Sequence, residues 1–284
     1  MALIPEHYLK AIVAIGSPQQ SQVSWQATGF LFGHLLPSAE NQEPHYKVFL
    51  VTNRHVLLNQ SLVVLRFDNY GTGTTQFPVP LVQNNKPVWI AHSDPDVDVA
   101  ILPIDGNLLY QNIGNISLFK DDTDILPLYS AKAKDICEGD GIFVMGFPLG
   151  LVHQMQNFAV VRRGIISRIK DCMGGHSKDF LVDAQIFPGN SGGPVVSKPE
   201  VISIQGTQSI NGCLLLGVVS AYLPFIDIAV SKQTGRNKIS FEENSGLGVV
   251  YPVDRIQEVI KQFLMTLNPV VQSAPIGSSS ILVT

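Results

Sequence analysis

The chain has 284 residues, of which 45% are apolar and only 15% charged, with a formal net charge of −4. That length and apolar content suffice for one large domain or two halves sharing a core, and charge is well below the ~25% of an average globular chain. No run of Lys and Arg exceeds the pair Arg162-Arg163, so neither the composition nor the charge pattern points to nucleic acid.

The first residues, Met1 to His7, lack a basic segment followed by a 7–15-residue apolar run, so no secretory signal is expected. The apolar stretch 11–15 is too short to span a bilayer and reads as a first strand. No membrane association is expected. Further short apolar runs follow at 29–32, 48–52, 62–67, 88–91, 99–104, 141–146, 160–169, 180–184, 194–197, 214–220 and 248–251. Turn formers separate them, including Asn69-Tyr70-Gly71, Asp105-Gly106-Asn107, Asp140-Gly141 and Asn211-Gly212. This is the pattern of an all-β antiparallel barrel or sandwich rather than a βαβ sheet. The segment 66–87 reads as a long hairpin excursion. Residues 105–135 lack strand periodicity and read as a connection between halves.

One segment is clearly helical. From 252 to 267, Val253, Ile256, Val259, Ile260, Phe263, Leu264 and Leu267 recur at helical spacing on one face, with Pro252 and Asp254 suited to the first turn. After Pro269 the chain is rich in Ser, Gly and Pro and is expected to be a flexible tail. The division expected is an N-terminal half at 1–115, a linker at 116–135, a C-terminal half at 136–268 and the tail at 269–284.

Cys137, Cys172 and Cys213 are odd in number and stand in no Cys-x-x-Cys pattern, so neither a disulfide framework nor a zinc site is expected. The simplest expectation is a reducing, cytoplasmic setting without metal or cofactor.

Three segments carry chemistry: Thr52-Asn53-Arg54-His55-Val56, Asp96-Val97-Asp98-Val99-Ala100, and Gly189-Asn190-Ser191-Gly192-Gly193-Pro194. A serine hydroxyl is a weak nucleophile at neutral pH and needs a base to take its proton. Histidine, with an unperturbed pKa of about 6.5, suits that role, and a carboxylate then fixes its tautomer. Ser191, His55 and Asp98 can fill these roles. Asp98 is chosen over Asp94 and Asp96 because it directly precedes the apolar run, the other two being placed in a solvated turn around Pro95. His7, His34, His45, His92, His153 and His176 lack a comparable local pattern and are read as structural or solvated. The glycines around Ser191 let the backbone turn so that amides of Gly189, Asn190 and Ser191 can form an oxyanion hole, chiefly those of Gly189 and Ser191.

The order His…Asp…Ser over a β-type sequence resembles the trypsin-like serine proteases. Further segments are similar to the HtrA/Deg branch: Val182-Asp183-Ala184-Gln185-Ile186-Phe187-Pro188-Gly189-Asn190-Ser191, Val144-Met145-Gly146-Phe147-Pro148-Leu149-Gly150, Gly164-Ile165-Ile166-Ser167, and Gly246 to Val253. The likeness covers about 10–265 and leaves no room in this sequence for a PDZ domain. It implies two antiparallel six-stranded β-barrels closed by a C-terminal helix, serine endopeptidase activity on protein or peptide substrates, and no cofactor. Asn190 stands where digestive trypsins carry Asp, so activation by a trimmed N-terminus is not expected. The resemblance places the base of the primary specificity pocket at Gln185. Ile186 and the wall Val219, Ser220, Ala221 and Tyr222 would line it, and the backbone at 220–222 would pair with an extended substrate. An apolar pocket taking Ala, Val or Leu is expected. Two alternatives remain: a processing protease dedicated to one partner protein, and a pseudoprotease that only binds peptides. Oligomeric state is not legible.

Overall fold

Alternating faces of the same strands build two interiors and a seam between them. The computed structural model describes residues 3–20, 22–37, 43–69, 73–200 and 212–267. In chain order the elements are α1 (Glu6–Lys10), β1 (Ile12–Gln19), β2 (Gln22–Leu35), β3 (Tyr46–Thr52), α2 (Arg54–Leu57), β4 (Leu62–Asp68), β5 (Thr74–Pro80), β6 (Val82–Gln83), β7 (Lys86–Pro87), β8 (Ile90–Ala91), β9 (Ala100–Ile104), α3 (Gly106–Ile113), β10 (Phe119–Lys120), α4 (Leu128–Ala133), β11 (Gly141–Gly146), β12 (Val160–Arg168), α5 (Lys170–Met173), β13 (Phe180–Asp183), β14 (Pro194–Ser197), β15 (Leu215–Val230), β16 (Asn237–Pro252) and α6 (Val253–Leu267).

The C-terminal half closes as a six-stranded barrel in the order β11-β12-β13-β16-β15-β14. The N-terminal half is a second barrel-like sheet of eight strands, ordered β5-β4-β1-β2-β3-β9-β8, with β10 added in parallel to β2. In the first half Val13, Ile15, Leu31, Leu50 and Leu65 fill one interior, and in the second Ile142, Val144, Val182, Val195 and Leu216 fill the other. Residues one step along the same strands face the seam: Ile12, Ala14, Phe30, Phe32, Phe49, Phe143, Met145, Val196 and Val218. Side chains alternate along a strand, so a strand buried on both sides carries an unbroken apolar run. Helix α6 lays Val253, Ile256, Val259 and Ile260 into that seam. Each such side chain contributes about 1.5–3 kcal/mol by leaving water.

The helix expected at 252–267 forms as α6, one residue shorter at its start. The connection expected at 105–135 contains α3 and α4. Asp105 caps α3 by accepting from the amides of Asn107 and Leu108, and Gly114 ends it at φ +78°. The 66–87 excursion is the end of β4, the edge strand β5, which pairs with β4 along its length, and the small β6-β7 hairpin. The runs at 214–220 and 248–251 are the inner ends of two 16-residue strands, β15 and β16. The tail lies outside the described residues.

Candidate active site

His55 and Asp98 meet at the edge of the seam. Strand β3 ends at Thr52, and the single turn of α2 then presents His55. Asp98 stands two residues ahead of β9. Its Oδ2 lies 2.6 Å from His55 Nδ1, and its Oδ1 accepts from the His55 amide at 3.0 Å. This pairing puts the imidazole proton on Nδ1 and leaves Nε2 with a lone pair. Ser220 Oγ donates to the same Oδ2 at 2.7 Å, and Asn53 Nδ2 donates to the Asp98 carbonyl at 2.7 Å. Burial pushes the Asp98 carboxyl up, but the bonds from His55 and Ser220 outweigh it and hold the group below its ordinary 3.8.

The loop that carries Asp98 is fastened on every side. Arg54 donates to the carbonyls of Pro95 and Asp94, at 2.8 and 3.2 Å, and to that of His92. From the other half, Lys178 pairs with Asp94 and Asp96 at 2.7 and 2.9 Å, and Tyr251 donates to the Asp96 carbonyl at 2.6 Å. His92 is buried and pairs with Glu258 of α6 at 2.7 Å. Asp94 and Asp96 are therefore ion-paired rather than merely solvated. His34 likewise sits against Asp121 at 2.5 Å.

Ser191 stands on a turn whose three peptide planes are each pinned. A trans peptide directs its C=O and N–H oppositely, so fixing the carbonyl aims the amide. The Pro188 carbonyl accepts from the Leu149 amide at 2.6 Å, which aims the Gly189 N–H. The Asn190 carbonyl accepts from the Gly193 amide at 2.8 Å, which aims the Ser191 N–H. Between them the Gly189 carbonyl accepts from Thr28 Oγ1 at 2.7 Å, and the Asn190 amide donates to the Phe187 carbonyl at 3.0 Å. Among the described residues the Gly189 and Ser191 amides have no protein acceptor. Gly189 sits at φ +99°, and an added Cβ would lie 2.3 Å from the Phe147 carbonyl, so only glycine fits. Asn190 is buried, and its Oδ1 accepts from the Phe187 amide at 3.1 Å.

The Ser191 hydroxyl donates to the Ser220 carbonyl at 3.0 Å, and among the described residues no hydrogen bond joins it to His55. Beside His55 a cleft of about 120 Å³ opens between Gly16, Ala27 and Gln60.

The model of the trypsin-like peptidase domain matches residues 27–202, more than half of the chain. This chain belongs to that family. It is 28% identical over 218 residues to the "Probable periplasmic serine endoprotease DegP-like" of Pseudomonas fluorescens, covering 75% of this chain and 37% of that one. It is 25% identical over 170 residues to "Serine protease Do-like HtrB" of Bacillus subtilis, covering 57% of this chain and 30% of the other. The chain thus spans between 23% and 37% of the length of the curated relatives it matches. Among solved structures, "HtrA-type protease AlgWS227A with tripeptide" superposes with a TM-score of 0.52 at 20% identity, over 91% of this chain and 62% of that one. That likeness concerns the fold.

In this trypsin-like domain the six expected pocket residues do not act together. Ile186 and Val219 point into the C-terminal barrel, at 1% and 0% exposure, because strand alternation places them among Val182, Ala184 and Leu216. Gln185 is exposed, with Oε1 3.4 Å from Arg162, whose guanidinium lies over the Phe187 ring. Ala221 is exposed, Tyr222 is half-buried and donates to Glu242 at 2.7 Å, and Ser220 serves Asp98 and Ser191. The residue that sequence reading missed is Thr28. It is fully buried on β2, accepts from the Phe147 amide at 2.9 Å while donating to Gly189, and its backbone amide donates to the Ser191 carbonyl at 2.9 Å. It precedes the apolar run 29–32 with no local mark of its role. Burial pushes the Cys172 thiol up to about 11 and the Cys213 thiol to about 12, so neither is a competing nucleophile. Among the described residues no group of three or more His, Cys, Asp or Glu side chains is placed to hold a metal ion, and no helix is long and apolar enough to cross a membrane.

Proposed function

We propose that this chain is a serine endopeptidase in which Ser191 is the nucleophile, His55 the base and Asp98 the orienting acid. The observation that carries the reading is the Asp98–His55 pair, with Nε2 left as acceptor, set beside a serine turn whose flanking amides are already aimed. A substrate carbonyl seated against the Gly189 and Ser191 amides receives the Ser191 oxygen, while Nε2 takes the hydroxyl proton. The imidazolium, stabilised by Asp98, gives that proton to the leaving amine. Water, deprotonated by the same nitrogen, then splits the ester and restores Ser191. Each amide aimed at the developing oxyanion lowers the barrier by about 3–4 kcal/mol. Ser220 is a positioning residue, since its hydroxyl holds Asp98 and its carbonyl parks the resting Ser191.

The substrates are proteins or peptides bound in extended form. With no acid at Gln185, Ala221 or Tyr222, we propose that the side chain before the scissile bond is neither Lys nor Arg. The free thiols support a reducing, cytoplasmic setting.

A fluorophosphonate probe tests the reading. One adduct on the native protein by intact mass, absent from Ser191→Ala and from His55→Ala, is the expected result. Turnover in these variants is expected to fall by up to about a millionfold, because the group acts as a unit. Equal peptide cleavage by native protein and Ser191→Ala would overturn it. The parked hydroxyl also suits a protein that binds peptides without cutting them; absence of any adduct on the native chain would favour that reading.

A further inference from the structure

Strand β15 does not stop where the barrel stops. Strand β14 pairs with it only through Leu215–Val218, whereas β16 accompanies it out to Val230. Beyond Val219 the second edge of β15 takes no strand among the described residues. The segment from Leu223 to Val230, about 25 Å of extended chain, therefore projects with β16 as a two-stranded ribbon. An isolated two-stranded ribbon is marginal in water. This one also exposes large apolar side chains on both faces. Phe225, Phe241 and Ile239 share one face, and Ile226 and Ile228 the other; Phe225, Ile226 and Phe241 are each more than half exposed. Apolar residues at that density on a free edge mark a surface that takes a partner.

We propose that the ribbon binds the N-terminal arm of an extended substrate, which adds to the free β15 edge as a third strand. The proposal deepens the endopeptidase reading and rests on it for the position of the scissile bond. The occupant follows from continuity: the edge starts at Ser220, whose carbonyl holds the Ser191 hydroxyl. An antiparallel strand with its reacting carbonyl at Ser191 sends its N-terminal residues along Leu223–Val230. A backbone ladder supplies affinity without sequence preference, and the apolar side chains flanking the edge add selection. Pro224 has no amide hydrogen to donate to either neighbouring strand. Asp227, Glu242 and Glu243 lie between the apolar positions along the ribbon. The arm that fits is thus apolar at alternate residues with Lys or Arg between them.

The test measures binding, so it does not depend on catalysis. Two fluorescent peptides share their last six residues; the longer carries eight more at its N-terminus, alternating Leu and Lys. Anisotropy is read on full-length Ser191→Ala, on the same protein with residues 226–242 replaced by Asn-Gly, and on the same protein with Phe225→Thr and Ile228→Thr. The long peptide is expected to bind Ser191→Ala at least about tenfold tighter than the short one. In both ribbon variants that ratio should fall to within about twofold while the short peptide binds as before. Exchanging the Lys residues for Asp should cost the long peptide most of its advantage. A ratio near one in the Ser191→Ala protein, or a ratio unchanged by both ribbon variants, overturns the proposal. So does light scattering that shows a dimer abolished by the ribbon variants, with no length dependence, because the ribbon would then belong to a second copy. Length-dependent binding in a protein whose Ser191 takes no probe would leave the ribbon assignment standing and remove the endopeptidase reading.

Discussion

Thr28→Val keeps the shape of a fully buried side chain and removes only its hydroxyl. Two groups lose their partner, the Gly189 carbonyl at 2.7 Å and the Phe147 amide at 2.9 Å, and neither can reach water. An unsatisfied buried polar group costs about 1–3 kcal/mol, so a loss of about 3 kcal/mol for the pair is expected. In a domain of this size that corresponds to a fall in Tm of about 6–12 °C. The new methyl would also stand closer to the Gly189 oxygen than van der Waals contact allows. The Gly189–Asn190 plane must then move, and it links the two planes that aim the oxyanion amides. The rate of fluorophosphonate labelling at Ser191 should drop by about 10²-fold, comparable to losing one oxyanion donor. Thr28→Ser is the control: it keeps both hydrogen bonds, loses one methyl at about 1 kcal/mol, and should label at nearly the native rate. Denaturant unfolding and labelling kinetics on the three proteins decide the matter. A Thr28→Val protein within 0.5 kcal/mol of native stability, or one that labels as fast as Thr28→Ser, would refute the reasoning.

Other outcomes follow from the same geometry. Asp98→Asn turns an acceptor toward His55 Nδ1 into an ambiguous amide and frees the wrong tautomer; probe labelling at pH 7 should slow by about 10⁴-fold. Ser220→Ala removes one of the two side-chain hydrogen bonds to Asp98 Oδ2, so the labelling rate at pH 7 should fall by about tenfold. Glu138 accepts from the amides of Ile169 and Lys170 at the start of α5, which with the nearby Lys170 holds its carboxyl down to about 2. A depressed folded pKa contributes stability that is present above the ordinary 4.5 and is lost as pH falls through about 2. Glu138→Gln should therefore cost about 1 kcal/mol at neutral pH, after allowance for solvent screening, and show a flatter loss of stability between those pH values in denaturant titrations. Lys178→Met removes two pairs to the loop carrying Asp98, but both are solvent-exposed and the other tethers remain; labelling should change by less than about threefold.

Much of the architecture, and the three segments proposed to carry the chemistry, was legible along the chain because their signals are local. Period-two burial writes itself as short apolar runs, α6 writes its face at helical spacing, and a serine turn that tolerates no Cβ at Gly189 must spell out its glycine. The choice of Asp98 over Asp94 and Asp96 also rested on a local cue, the apolar run it precedes, and the hydrogen bond to His55 agrees with it. Expectations failed where a role depends on which way a side chain faces or on what another part of the chain brings. The resemblance placed Ile186 and Val219 at the pocket, yet both side chains are buried in the C-terminal barrel. The outer halves of β15 and β16 carry acids among their apolar residues and so broke the run that marks a buried strand. Thr28 stands 161 residues from Gly189, and only the closure of the seam brings its hydroxyl to that carbonyl. The sequence by itself determined the barrels, the closing helix and the segments proposed to carry the chemistry, since each depends on spacing within a few turns of backbone. The tertiary structure alone decided how the Ser191 turn is held, which way Ile186 and Val219 face and that β15 and β16 run on past the barrel as a ribbon, because those depend on contacts between segments that the linear order keeps far apart.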